Sequence, residues 1–142
     1  AKLKVIDVAL HKYLDAGGER RVRAVDNDHA DGRRSVSLVK IAQTFEHYTL
    51  LDVTIKTGRT HQIRVHLVNA GHPIVGDDKY GDFALNKQLA RGEGLHGLRF
   101  ERMFLHARRL AFDHPATGQR IELLAPLPAE CATLLTRLSE PH

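Results

Sequence analysis

The stretch "VTIKTGRTHQIRVHLVNAGHP", residues 53–73, holds most of the residues whose types and spacing could do chemistry. "KTGRT" places Gly58 and Thr60 at a strand-to-helix junction, where free backbone N–H groups favour anions. The Walker pattern fails, because it needs a glycine at the position of Val53 and a lysine at the position of Arg59. Local phosphate contact by Arg59 or Thr60 stays open. His61 and His66 invite a zinc reading. On a helix, however, they point roughly 140° apart. The zinc-protease pattern needs two histidines at i and i+4 with a glutamate between them, and neither condition holds. No Cys-x-x-Cys occurs. No metal is expected. Asp77 and Asp78 are adjacent in a loop, and adjacent carboxylates seldom converge as acid–base partners must. They are expected to bond loop backbone or a nearby arginine. Arg64 is the fourth candidate. It lies in a predicted helix among apolar residues, on one face with Thr60 and Val68 and beside the line Ile63, Leu67, Ala70. A guanidinium at a core boundary needs a partner. Two readings stand: a structural salt bridge, or a cation that holds a reactive carboxylate ionised.

The elements that must position these residues follow from local pattern. Residues 2–10 read as extended or loop. "LHKYLDA", residues 10–16, reads as a short helix stopped by Gly17-Gly18. "RRVRAV" suits an edge or surface strand, and "DNDHADGR" a polar loop. Residues 35–45 and 47–57 read as an antiparallel hairpin, the second strand β-branched and apolar enough to be central. Thr60 is the expected N-cap of a helix over about 61–70, with Gly71 just past its end and Pro73 beyond. "FALNKQLARG" reads as a short helix, "MFLHARRLAFDHP" and "QRIELLAP" as strands around the turn "PATG". "AECATLLTRL" closes the chain as an amphipathic helix with Leu134, Leu135 and Leu138 on its stripe. The expected class is α+β with a mainly antiparallel (mixed) sheet and flanking helices.

Length and composition bound the rest. At 142 residues the chain suits one domain. A lone cysteine, Cys131, excludes an internal disulfide and fits a reducing compartment. No apolar run reaches the roughly 18 residues of a membrane span, and no signal pattern opens the chain. A cytoplasmic location is expected. The net charge is +4. Arginines cluster at 20, 21 and 23, at 33 and 34, and at 99, 102, 108 and 109. Such clusters suit a polyanion such as nucleic acid, or simply a solvated basic face.

Taken in order, "TGRTHQIRVH", "GHPIVGDDKYGD", "LHARRLAFDHPATG" and "LLAPLP" resemble pseudouridine synthases of the RluA/RluC type, which isomerise uridines in RNA, including large-subunit (23S) ribosomal RNA. "GERRVRAV…GRRSVS" extends a weaker similarity toward residue 1. The resemblance implies that Arg64 pairs with a catalytic aspartate. It implies that Arg59, Thr60, His61, Gln62 and His72 line the substrate cleft, with Gly71 and Pro73 in the same loop, and that Leu105 packs near the target uridine. No cofactor is implied. The family's nucleophile lies in a His-Arg-Leu-Asp-x-x-Thr-Ser-Gly motif. Here Leu14-Asp15 is followed by Ala-Gly-Gly, and Leu51-Asp52 lies inside a strand pattern. The family tyrosine motif Lys-x-Tyr-x-Ala and the small N-terminal RNA-binding domain are also missing. The chain is therefore expected to be the C-terminal part of the catalytic domain over 1–142, inactive alone. Its partners would be ribosomal RNA and a missing N-terminal half, with Arg64's partner on that half. The alternative is a non-catalytic RNA-binding or ribosome-assembly module.

Overall fold

The computed structural model describes residues 3–95 and 97–140. Along the chain run β1 (Leu3–Asp7), β2 (Ala9–Leu14), β3 (Arg20–Val25), β4 (Val36–Thr44), β5 (Thr49–Ile55), α1 (Gln62–Asn69), α2 (Phe83–Ala90), β6 (Arg109–Asp113), β7 (Arg120–Leu124) and α3 (Ala129–Ser139). The fold is α+β, and every strand pairing among the described residues is antiparallel. The strands form three small sheets: β1-β4-β5, β2-β3 and β6-β7. The first two are joined where Leu10 and Arg33 exchange backbone bonds of 2.9 and 2.8 Å.

Three expectations change. Residues 10–16 are not a helix. "LHKYL" also alternates with period two, and it pairs along its length with "RRVRAV", Leu10 opposite Ala24 and Lys12 opposite Val22. The Asp15 carboxylate closes this hairpin by accepting the amides of Gly17 and Glu19 at 2.9 and 3.0 Å. The strand at 49–55 is an edge, because β1 takes the other side of β4 and makes β4 central. Only Arg109–Asp113 of "MFLHARRLAFDHP" is strand. Met103, Phe104 and Leu105 instead bury irregularly against two apolar clusters.

Helix α1 is the hub of the first two sheets. Leu67 enters a cluster with Ile6, Val39 and Ile74. Val65 enters another with Leu10 and Val22. These two positions lie roughly 200° apart around the axis, so α1 buries two sides and has no single apolar stripe. A third cluster joins α2 and α3 through Leu89, Leu95, Phe100, Cys131 and Leu134. Asp82 caps α2 by accepting the Leu85 amide at 3.0 Å.

Candidate active site

The turn before α1 is built by Gln62 rather than Thr60. Thr60 makes no cap bond, and His61 holds the N-cap position at φ 52°. Gln62 is buried. Its Oε1 accepts the Thr57 hydroxyl at 2.7 Å and the Arg59 amide at 3.1 Å. Its Nε2 donates to Val36 O and Ser37 Oγ, each at 2.9 Å. One side chain thus replaces the expected threonine cap and pins the turn to β4. At the other end Gly71, at φ 87°, donates to Val68 O, and His72 donates to Leu67 O. That is the double-bonded glycine stop expected from the sequence.

His66 completes the seam between helix and sheet. It is fully buried, with Nδ1 2.8 Å from Ser37 Oγ and Nε2 2.8 Å from Val8 O. A carbonyl can only accept, so Nε2 carries the proton and donates to Val8 O. A neutral ring then accepts the Ser37 hydroxyl at Nδ1. Buried polar groups are satisfied in this seam, which fixes the helix's rotation against β4.

Arg64 finds its partner inside the chain. Its Nη2 donates to Asp77 Oδ1 at 2.7 Å and its Nε to Asp77 Oδ2 at 3.0 Å. Asp77 is completely buried, while the arginine side chain keeps 15% exposure. Oδ1 also accepts the amides of Lys79 and Tyr80 at 3.0 and 3.1 Å. Burial pushes the Asp77 pKa up. The Arg64 hydrogen bonds, these two amides and the Arg64 charge outweigh it, leaving the carboxyl below its ordinary value. The same hydrogen bond raises Arg64 above its usual range, against a smaller opposing effect of burial. Asp78, almost wholly exposed, approaches Nη2 at 3.7 Å. The Tyr80 ring lies 5.2 Å from the guanidinium carbon, a cation–π contact. The pair uses Nε and Nη2, and Asp77 does not engage Nη1.

His61 joins the same cluster. It is the one non-glycine residue at positive φ among the described residues. Its Nδ1 lies 2.8 Å from the Tyr80 hydroxyl, which accepts the Val22 amide at 3.0 Å. Burial lowers the His61 pKa, helped by the nearby Arg64 and Lys79 charges. A neutral ring accepts the Tyr80 proton at Nδ1 and keeps Nε2–H free to donate. A left-handed histidine costs roughly 1–3 kcal/mol and marks a place worth a functional hypothesis.

The remaining sequence candidates fall around this cluster. Arg59 is exposed and donates from Nε to the main-chain Arg34 O at 3.0 Å, while the Arg34 guanidinium lies 3.6 Å from Asp7 Oδ2. Thr60 and His72 are exposed. Leu105 packs on the cluster that contains Ile63 and Leu67. Asp77 and Tyr80 were missed as site residues. Their signal was available in the spacing "GDDKYG": Gly76 sits at φ 80°, and a Cβ there would meet Arg102 O at 1.9 Å. At Gly81 a Cβ would meet Asp77 O at 2.3 Å. Both glycines let the backbone fold tightly around the buried carboxylate. Behind this loop an open cavity of about 390 Å³ is lined by Gly76, Asp78, Phe83, Asn86, Lys87 and Phe100, among others. Among the described residues no group of three or more His, Cys, Asp or Glu side chains could hold a metal ion.

The RNA pseudouridylate synthase family profile matches residues 4–69, which run from β1 through α1 and include Arg64. Relatives extend the match. Ribosomal large subunit pseudouridine synthase C of Yersinia pestis is 45% identical over 124 residues, covering 87% of this chain and 36% of the relative. The proteins of that name from Pasteurella multocida and Escherichia coli K12 are 40% and 39% identical over 137 residues, 96% of this chain in each case. The chain is related to the pseudouridine synthases. It spans about 36–40% of the length of these curated relatives. The solved structure of Human RNA Pseudouridylate Synthase Domain Containing 4 superposes with a TM-score of 0.69 at 23% identity. It covers 96% of this chain and 56% of that one, which establishes a shared fold. No helix among the described residues is long and apolar enough to cross a membrane.

Proposed function

We propose that this chain is the C-terminal part of the catalytic domain of an RNA pseudouridine synthase that isomerises uridine in large-subunit ribosomal RNA. The observation that carries the reading is Arg64 on α1, inside the residues that match the family, held by the buried Asp77 of the loop that follows. In the proposed reaction an aspartate from outside this chain attacks the ribose or the base of a flipped-out uridine. The N1 bond breaks, the uracil turns and rejoins through C5, and the C5 proton leaves to solvent.

Arg64's part follows from its balance of charge. Asp77 already neutralises it, so Arg64 offers a third carboxylate a directed N–H from Nη1 more than an unopposed positive charge. Asp77 is then the positioning residue that aims the guanidinium, and Tyr80 covers one face of it. Arg59, Thr60, His61, Gln62, His72 and Leu105 belong to the proposed substrate cleft. Leu105 supplies apolar wall, and Arg59 supplies phosphate contact. Exposed apolar residues support a place for further polypeptide from the same protein: Ile55 on the edge strand β5, and Leu110, Leu123 and Leu124 on the β6–β7 hairpin. The proposed location is the cytoplasm.

The test is release of tritium from C5-labelled uridine in large-subunit ribosomal RNA. The chain alone is expected to give no turnover, and turnover would sink the claim that its nucleophile lies elsewhere. In a full-length protein carrying this chain, Arg64→Ala is expected to lower turnover far more than RNA affinity. An unchanged rate refutes its role. RNA binding with no turnover in the full-length protein favours a non-catalytic assembly module.

A further inference from the structure

The β2–β3 hairpin presents two different faces. Leu10, Val22 and Ala24 turn to the core. The alternate residues His11, Tyr13, Arg21 and Arg23 turn away from it, with His11 opposite Arg23 and Tyr13 opposite Arg21. On this outer face the His11 and Tyr13 rings lie near parallel, 6.1 Å apart at 30°. His29, from the loop after β3, adds a third ring 5.5 Å from His11. The Arg23 guanidinium sits 5.1 Å from the Tyr13 ring centre and donates from Nε to His11 Nδ1 at 3.2 Å. The result is a patch of three half-buried rings and one exposed planar cation on the hairpin face away from the core. Packing does not require it: Tyr48 joins the α2–α3 cluster and Tyr80 covers Arg64, but Tyr13 does neither.

We propose that this face is a stacking platform for unpaired bases of RNA, separate from the Arg64 cluster. It rests on the RNA-directed reading above and adds a second point of contact. Rings and guanidinium planes offer π-faces that every unpaired base can use. A duplex hides those faces, so the patch favours single strands. Arg23, which is exposed, sets the phosphate side, since Arg21 is held by Asp15 at 2.9 Å. The aspartates at 26, 28 and 31 flank the His29 end, so a bound backbone should leave toward the hairpin tip. The same positive face disfavours a basic peptide.

The experiment is fluorescence anisotropy of the 142-residue chain with labelled single-stranded oligouridylate and with an RNA duplex of equal length. Tyr13→Leu keeps strand propensity and bulk but loses the ring. It is expected to weaken single-strand binding roughly 5- to 150-fold, the range for one lost base stack, with duplex binding little changed. Tyr13→Phe is expected to restore the affinity. Arg23→Gln is expected to lower the slope of log affinity against log salt by roughly 0.7. Equal affinities of wild type and Tyr13→Leu with both variants folded by circular dichroism overturn the proposal, as does equal loss of duplex binding. Preference for an acidic peptide over oligouridylate also overturns it. Tritium release is read separately. If the full-length protein fails to isomerise uridine but Tyr13-dependent binding persists, the catalytic reading falls and the platform stands. If turnover occurs and Tyr13→Leu leaves single-strand affinity unchanged, the reverse holds.

Discussion

Replacing Asp77 by asparagine tests whether the Arg64 pair is a structural keystone. The carboxylate accepts four hydrogen bonds, two from Arg64 and one each from the amides of Lys79 and Tyr80. Asparagine is nearly isosteric. With its oxygen at Oδ1 it keeps the two amides and Arg64 Nη2, but its NH₂ then faces Arg64 Nε, donor against donor. Breaking a buried ion pair on one side costs roughly 3–5 kcal/mol. Asp77→Asn is expected near the lower end and Asp77→Ala near the upper. At roughly 2.1 cal/mol/K of unfolding entropy per residue, a chain of 142 residues converts this to a Tm drop of roughly 10–17 °C. Urea titration at pH 7 measures it, with the dependence on denaturant unchanged. The double variant Arg64→Met, Asp77→Leu removes both charges and should cost much less than the two single changes added together. A loss under about 1 kcal/mol for Asp77→Ala, or additive single costs, refutes the reasoning, because either shows that the pair is solvated rather than buried.

Three further outcomes follow from the same geometry. Ser37→Ala strands Nδ1 of buried His66 and one Gln62 donor contact, and is expected to cost about 1–3 kcal/mol in urea titration; Ser37→Thr tests whether the hydroxyl alone suffices. Gly81→Ala should destabilise by well over 1 kcal/mol, since its Cβ would press on Asp77 O, whereas Gly97→Ala meets no atom within 4 Å and should show only its positive-φ cost of about 1 kcal/mol. The third outcome is acid sensitivity. Asp77 titrates below its unfolded value, so its stabilisation is full above about pH 4 and is lost as pH falls through the native value. His61 is also lowered, so its neutral form favours folding above about pH 6.5, and that share is lost as pH falls through its own native value. Wild-type stability should therefore decline in two stages on acidification, Asp77→Asn removing the lower and His61→Asn the upper, as followed by melting temperature against pH.

The sequence carried the helix stop at Gly71, the β4–β5 hairpin and the closing helix because glycine, β-branched runs and a 3.6-residue stripe are local signals. It misread residues 10–16 because five residues of alternating pattern beside two glycines suit a strand or a short helix equally. Only pairing with residues 20–25, a nonlocal fact, decides between them. Thr60 was a reasonable cap by type. Gln62 displaced it because its longer amide reaches both the turn and β4. The need for a carboxylate beside Arg64 was legible from one buried cation. Asp77 or Asp78 was expected to bond loop backbone or a nearby arginine, and Asp77 does both. That this arginine is Arg64, 13 positions back, rather than Arg64 waiting for a carboxylate from elsewhere, depends on a loop path set by two glycines.

Cys131 has a consequence of its own. Its thiol is fully buried between α2 and α3, and burial raises its pKa, with a small opposing pull from Arg102. Folded protein thus presents neither access nor thiolate to an alkylating reagent. As the chain's single sulfhydryl, Cys131 is a natural clock for that cluster. Its labelling rate counts the openings that part α3 from Leu89 and Phe100, and does so without an introduced probe.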